Sequence, residues 1–275
     1  MGKLITHISS TENLRAAVEK VRATHPFLQD RKWLETDVEG KLANLQKDLA
    51  TGKFIPGSVE FFYSFDEKKL RCVKLDLRCV VAMEAICLPL KAVLEKGAVD
   101  NCSYSIDKIE QIFQACKCWK RSCVWALKAD IARFFDSVEH RLLFQTISAS
   151  INCDNTLHLL KNLFASFDEA GALFSVKSPE YNHRAGFSLP AGHELVYVLA
   201  NAFLKPIDQK MSVLTNGRMA RYLDDYLFFG EDQSEMEALL ANLQDNLQHY
   251  GLVLNPEKSF IRPCRYPISF LRQPL

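Results

Sequence analysis

The chain has 275 residues, with 34 Lys and Arg against 33 Asp and Glu, for a net charge of +1. That length can bury a substantial core, as one large domain or two intimate subdomains. The charge balance excludes a globally basic protein, so any nucleic-acid surface must be local. The nine cysteines are scattered singly through apolar segments, as at Cys79, Cys87 and Cys123, and read as free buried thiols in a reducing compartment. Cys116-x-Cys118 followed by Cys123 lacks both a CxxC pair and a fitting histidine, which argues against zinc.

The opening Met-Gly-Lys-Leu-Ile-Thr-His has no apolar signal-peptide run. No uncharged apolar stretch approaches the ~20 residues that span a bilayer. The expectation is a soluble, cytoplasmic protein with no membrane partner. Residues 11 to 50 read as helices. One starts at Thr11 with Leu14, Val18 and Val21 on one face, and a second runs from about Trp33 to Leu49, ending before Thr51-Gly52. From 53 to 80 the period switches to two, through Phe54, Val59, Phe61 and Tyr63, then a charged Asp66 to Lys69 tip, then Leu70 to Val73. This is a hairpin. Lys68, Lys69, Arg71, Lys74 and Arg78 make it basic, as a solvated hairpin or as a mobile flap that meets phosphates.

An apolar helical run covers 80–94, a loop 101–107, and an amphipathic helix 107–120 with Ile109, Ile112 and Phe113 on one side. Cys118-Trp119-Lys120-Arg121 adds basic and aromatic character, and fits a nucleic-acid backbone contact or a solvated helix end equally well. Residues 124–130 read as a buried strand with Asp130 where it leaves the core, a position that also suits a plain cap or turn residue. Ser137 starts a helix through Leu142, Leu143 and Ile147. Helices near 155–168 precede a turn-rich segment, Arg184 to Gly192, which feeds an apolar helix at 195–204 closed by Lys205-Pro206. Such a loop presents free backbone N–H groups to a ligand.

Next comes Met219-Ala-Arg-Tyr-Leu-Asp224-Asp225-Tyr-Leu-Phe-Phe229, two carboxylates between apolar, aromatic-rich runs. It reads as a β-hairpin whose tight turn carries both charges. Ser234 to Glu237 resembles a capping box, followed by a buried stripe of Met236, Leu239, Leu240, Leu243 and Leu247, with Gly251 as C-terminal cap. A strand at 252–254 and a turn at 255–258 follow. These elements fit an α+β layer with helices on one face of an antiparallel sheet. On that sheet Asp130 can face Asp224 and Asp225.

Three clustered carboxylates cannot all stay ionised without cations. Two Mg²⁺ ions, with Mn²⁺ as the alternative, resolve the repulsion and suit phosphoryl transfer through hard oxygen ligands. Tyr222-Leu-Asp224-Asp225, Asp130-Ile-Ala-Arg-Phe134-Phe135-Asp136 and Gly186-Phe-Ser-Leu-Pro190-Ala-Gly192 together resemble the palm of reverse transcriptases. Ala200-Asn201-x-x-Leu204, Gly251-Leu-Val-Leu-Asn255-x-x-Lys258 and Phe270-Leu271 match later blocks of that family in order, so the resemblance covers roughly residues 45 to 272.

The resemblance implies a right-hand polymerase: an N-terminal helical extension at 1–50, fingers at 51–123 with part of 150–192, and a palm at 124–275. It implies an RNA-directed DNA polymerase, a nucleotidyltransferase that adds dNTPs to a DNA or RNA primer on an RNA template. Asp130, Ile131, Asp224 and Asp225 become metal positions, with Lys258 as a catalytic lysine. Lys69, Arg71, Ile131, Phe135, Pro190, Ala191 and Gly192 become nucleotide-binding positions, with the Phe135 ring excluding a 2′-hydroxyl. Ala191 stands where many relatives carry Gln. That loop is closer to the abortive-infection and defence-associated enzymes of bacteria, so a retroelement or antiviral setting is expected. The sequence ends where the family's thumb is expected to begin, so the expectation is either a chain cut short there or a structured RNA, a protein partner or another subunit in the thumb's place. The rival readings are an RNA-dependent RNA polymerase, a template-independent enzyme, and a non-catalytic module that binds RNA or protein.

Overall fold

The computed structural model describes residues 3–24, 36–64, 69–178, 181, 183–271 and 273–275, with the backbone alone described at 63, 64 and 69–74. The chain divides into two units, one formed by Met1–Lys96 with Glu139–Leu199, the other by Gly97–Val138 with Ala200–Leu275. The expected α+β class holds. No helix among the described residues is long and apolar enough to cross a membrane.

The first unit is mostly helical. Its Thr11–Thr24 helix buries Leu14, Ala17, Val18 and Val21. Asn13 ties that helix down by donating to the carbonyls of Ile8 and Ala85 at 2.9 and 2.8 Å. The next described helix is Val38–Ala50. The expected start at Trp33 lies outside the described residues, and Asp37 sets the observed one, its carboxylate accepting from the Gly40 N–H in an N-cap bond. The hairpin pairs β1 (Val59–Ser64) with β2 (Lys69–Leu75) antiparallel, with a bulge at Glu60/Phe61. Its charged tip at 66–68 lies outside the described residues.

Asp76 caps the Leu77–Leu94 helix by accepting from the Cys79 N–H at 2.7 Å. This helix is buried nearly all round, as its uniform apolarity requires. The helix expected from Ser137 starts instead at His140, because Ser137 closes a separate short turn, Phe134–Ser137. The helices expected near 155–168 are one long helix, Asp154–Lys177.

The second unit is built on a five-stranded sheet in the order β3-β5-β6-β4-β7, formed by β3 (Cys102–Ser103), β4 (Trp125–Asp130), β5 (Met219–Tyr222), β6 (Asp225–Gly230) and β7 (Phe260–Pro263). All its pairings are antiparallel except β3 with β5. The central β6 is buried at every residue after Asp225, which is why it reads as an unbroken apolar run. Ala126, Ala220, Leu227 and Phe229 form one cluster with Ile112 and Cys116 of the Ile109–Ser122 helix.

Several local expectations shift in this unit. The expected 101–107 loop contains β3. The helix expected to close at Lys205-Pro206 runs from Glu194 to Leu214 with Pro206 inside it. Proline costs a helix one hydrogen bond, and here the buried Ile207, Asp208 and Met211 hold the continuation in place. The capping box lies two residues earlier than expected. Asp232 accepts from the Glu235 N–H, and Glu235 accepts from the Glu231 N–H, both at 2.8 Å. The stripe Met236, Leu239, Leu243 and Leu247 is buried as expected, and Leu240 is half-buried. Gly251 (φ 69°) follows that helix, with the Leu252 N–H bonded to the Leu247 carbonyl at 2.9 Å. The expected strand at 252–254 is a single bridge from Leu254 to Ile131. The edge strand is β7. A small hairpin, β8 (Ser269–Phe270) with β9 (Gln273–Pro274), ends the chain.

Candidate active site

The strand register brings the carboxylates together. Asp130, last in β4, is the direct partner of Asp225, first in β6, so their Cα atoms are about 4.5–5.5 Å apart. Asp224 sits in the two-residue connection between β5 and β6. The turn is therefore tighter than the hairpin reading supposed: Asp224 lies in it, and Asp225 already belongs to the strand. Leu223, the other turn residue, has φ 56°, the left-handed region where glycine is usual.

Surrounding hydrogen bonds fix that conformation. The Leu223 N–H donates to the Ser103 carbonyl at 3.0 Å, and the Leu223 carbonyl accepts from Arg221 Nη1 at 2.9 Å. The Ile131 N–H donates to the Asp224 carbonyl at 3.2 Å, tying the end of β4 to the turn. Asp130 is anchored through its own backbone, its N–H donating to Ser259 Oγ at 3.2 Å and its carbonyl accepting from the Asn255 N–H at 2.7 Å.

Arg221 is the pivot of this arrangement. It is 1% exposed, and its guanidinium forks onto Asp208, Nε to Oδ1 at 2.8 Å and Nη2 to Oδ2 at 2.5 Å. Nη2 also donates to Asn201 Oδ1 at 2.8 Å, and the Tyr226 hydroxyl donates to Asp208 Oδ1 at 3.0 Å. Burial works against the Arg221 charge, but Asp208 outweighs it and leaves the guanidinium pKa raised. Sequence reasoning missed this group. An arginine in an otherwise apolar strand needs a buried partner, but ending the helix at Pro206 hid Asp208.

Asp225 has its pKa raised to about 6. Burial is the main cause; Lys128 works against it, and the neighbouring charges of Asp130 and Asp224 add to it. Its Oδ1 is buried, makes no hydrogen bond, and lies 3.5 Å from Lys128 Nζ. Lys128 was also missed, although the period-two alternation places it on the same face as Asp130. Lys258 Nζ lies 3.3 Å from Asp130 Oδ2, with its side chain 62% exposed.

This donor set fits a divalent cation. It offers hard carboxylate oxygens, one of them buried with no hydrogen-bond donor, and a carboxylate whose ionised form lacks enough positive charge. The three aspartates are not drawn together as a closed ligand cage, since Lys258 and Lys128 hold Asp130 and Asp225. Among the described residues, the group whose ligand atoms all lie within 4.8 Å of one another is Glu84, Cys87 and Glu194, in the first unit. That group is already neutralised. Lys20 and Lys91 donate to Glu194 at 2.7 and 2.8 Å, and Lys20 also pairs with Glu84. These bonds outweigh burial and hold Glu194 down at about 2.

The remaining sequence candidates divide between the units. Ile131 is 1% exposed, so its side chain cannot reach a ligand and its backbone carbonyl is what it can offer. Phe135 is 3% exposed and meets Phe134 edge-on at 5.3 Å. Pro190, Ala191 and Gly192 belong to the first unit, the first two buried and Gly192 exposed at φ 144°. Their loop is held from within that unit. His140 Nε2 lies 2.8 Å from the Ser188 carbonyl, and the Gly186 N–H donates to Asp168 Oδ2 at 3.0 Å. Burial lowers the His140 pKa, against the pull of Ser188 and Asp168. Lys69 and Arg71 lie on β2 of the first unit, and their side chains are outside the described residues.

Residues 66–271 match the reverse transcriptase (RNA-dependent DNA polymerase) family. No curated protein matches the chain. Among solved structures, an apo telomerase from Candida tropicalis truncated from its C-terminal domain aligns with a TM-score of 0.52 at 13% identity, over 78% of this chain and 52% of that one. A telomerase from Candida albicans, in complex with the TWJ fragment of telomeric RNA, aligns with a TM-score of 0.52 at 13% identity, over 76% and 43%. The chain thus spans about half the length of the solved structures it matches, and at this identity the likeness is one of fold.

Proposed function

The chain belongs to the reverse transcriptase family, and from that premise we propose that it extends a primer 3′-hydroxyl with dNTPs on an RNA template, at the site formed by Asp130, Asp224 and Asp225. The observation that carries this reading is the register pairing of Asp130 with Asp225 beside the Leu223–Asp224 turn. It gathers the family's three carboxylates at one end of one sheet. The sheet-bearing unit serves as the palm, and the unit with the β1–β2 hairpin as the fingers.

When bound, two Mg²⁺ ions lower the pKa of the attacking hydroxyl and neutralise charge on the leaving pyrophosphate. Asp130, Asp224 and Asp225, with the Ile131 carbonyl, would hold them. Arg221 keeps the Leu223 carbonyl fixed, which steadies the turn that carries Asp224 and leads into Asp225. Lys258, exposed beside Asp130, supplies a proton to the departing pyrophosphate. Phe135 forms an unyielding wall at the sugar, where a 2′-hydroxyl would find neither room nor a polar partner. Arg71 and Lys69 contact the triphosphate, and Pro190, Ala191 and Gly192 border the nucleotide. We assign the activity to a bacterial retroelement or antiphage system on the character of the Pro190-Ala191-Gly192 loop.

The deciding experiment is primer extension on an RNA template with dNTPs and Mg²⁺, comparing the natural chain with the Asp224→Ala, Asp225→Ala double variant. Product from the first and none from the second is expected. No extension by the natural chain on any primer and template, with Mg²⁺ or Mn²⁺, would overturn the polymerase reading. A double variant that kept full biological effect in infected cells would favour a binding module.

A further inference from the structure

The cleft at the far end of β4 from the carboxylates has the makings of a second nucleic-acid site. It encloses about 660 Å³ in the sheet-bearing unit, between the end of the Ile109–Ser122 helix and the β4–β7 edge. Trp125, at its floor, and Asp130 are the two ends of the same strand, roughly 17 Å apart at the usual rise per residue. The cleft is therefore separate from the candidate active site.

Its lining is basic. Lys117, Lys120, Arg121 and Arg265 surround it, and none of its lining side chains is acidic. Five other cations of the unit are matched with carboxylates, Lys128 with Asp225, Arg133 with Asp136, Arg218 with Glu231, Arg221 with Asp208 and Lys258 with Asp130, whereas Lys108, Lys210 and Arg262 bond to uncharged groups. Among the described residues, Lys117, Arg121 and Arg265 form no such pair. Lys120 donates to the α-carboxylate of Leu275 at 2.5 Å, and Lys117 lies over the Phe113 ring at 4.6 Å. Glu231, whose charge reaches Cys264 of the wall, is itself held by Arg218 at 2.9 Å. Lys117, Arg121 and Arg265, like charges without a carboxylate around one concavity, repel each other and attract an anion.

The floor selects which anion. Val124 is 53% exposed and Trp125 half-buried, an apolar and aromatic surface beside the cations. Tyr266, next in sequence to the lining Arg265, is 50% exposed, with the Arg265 guanidinium 5.2 Å from its ring. Cations that track a backbone next to rings that stack bases are the design of single-strand binding grooves. We propose that this cleft binds single-stranded nucleic acid, its phosphates on Lys117, Arg121 and Arg265 and a base against Val124 and Trp125. An acidic protein segment would use the cations but leave the aromatic floor idle. The site is independent of catalysis, so template or product strand can stay tethered while its 3′ end turns over elsewhere.

The test is fluorescence anisotropy of a labelled 20-nucleotide single-stranded RNA with the full chain across a KCl series. The variant is Arg121→Gln, Arg265→Gln, two exposed side chains whose loss leaves the core intact. Affinity should fall on the order of tenfold at 100 mM salt, and the slope of log K against log salt should shrink by about 1.4. Trp125→Phe should remove most of the RNA-induced quenching of tryptophan fluorescence. Extension of a short primer–template should be unchanged in both variants. Unaltered affinity and slope, or displacement of the RNA by a polyglutamate peptide at equal charge, would overturn the proposal. A chain that bound RNA through this face yet extended no primer would sink the polymerase reading and leave this one standing.

Discussion

Asp225→Asn should make the protein more stable and inactive at once. The Asp225 carboxyl rises from 3.8 to about 6 in the folded chain. At about 1.36 kcal/mol per unit, the ionised form costs the fold roughly 3 kcal/mol. The side chain is 22% exposed, so solvent screening takes away little of that. A group whose folded pKa lies above its unfolded one favours the fold fully below the unfolded value, and that contribution disappears as pH rises through the folded value. For Asp225 the window runs from about 4 to about 6. The amide is close in shape and carries no charge, so it escapes the penalty at neutral pH. It also leaves Lys128 without its ion pair, which trims the net gain to about 1–2 kcal/mol.

The assay is urea denaturation of both proteins in EDTA at pH 4, 5, 6, 7 and 8. The advantage of the variant should be absent near pH 4, grow through pH 5 and level off above about pH 6. Adding Mg²⁺ at pH 8 should stabilise the natural chain, because a cation that binds only the folded site shifts the equilibrium by mass action. The same addition should do little for the variant. A gap that is independent of pH, or a variant less stable than the natural chain at pH 8, would refute this account of Asp225.

Other expectations follow from the same geometry. Lys258→Met removes an ion pair whose lysine is largely exposed, so stability should change by less than about 1 kcal/mol, while single-turnover extension should slow by roughly a hundredfold if the lysine donates a proton. Phe135→Ala should cost about 3–5 kcal/mol in chemical denaturation and narrow the preference for dNTPs over NTPs in extension assays. Where that variant folds poorly, Phe135→Leu keeps the core and should shift the same preference less. Cys118 is the exposed thiol among those described and should react with a disulfide reagent at once. Cys79, Cys87 and Cys116, pushed up by burial to about 12, should react only on unfolding. Replacing the buried Arg221–Asp208 pair by Met and Leu strips Asn201, the Tyr226 hydroxyl and the Leu223 carbonyl of their partners, so urea denaturation should show a loss of at least about 1–3 kcal/mol, and terbium luminescence should report weaker ion binding because the Leu223 carbonyl has lost its donor.

How much of this was legible beforehand divides by the range of the interaction. Strands and helices with strong periodicity, such as the run into Asp130 and the stripe from Met236 to Leu247, could be read because alternation and 3.6-residue spacing are local signals. The pairing of Asp130 with its partners was reachable because an apolar strand and an aromatic hairpin leave few ways to build one sheet. The shift of the capping box from Ser234 to Asp232 was not, since three oxygen-bearing residues in a row compete for one role and backbone geometry decides among them. Nor was the Glu194–Leu214 helix, because Pro206 is a stop signal by its own chemistry and becomes tolerable only through packing at Ile207 and Met211. β3 is two residues long, and its pairing with β5 is parallel and non-local.

The Pro206 error and the missed Arg221 network are one error with a physical cause. A helix that ended at Pro206 would leave Asp208 outside it and Arg221 without a counter-charge in the core. The observed helix continues, and it delivers Asp208 to the underside of the hairpin. There it fixes the arginine that holds Leu223 in its unfavourable backbone conformation. Two costs are therefore linked to one function: a proline inside a helix, and a left-handed leucine in a turn. Each would be selected against in a turn that merely joined two strands. Their joint presence beneath Asp224 and Asp225 is what a site requires when it must hold repelling carboxylates in one place before any cation arrives.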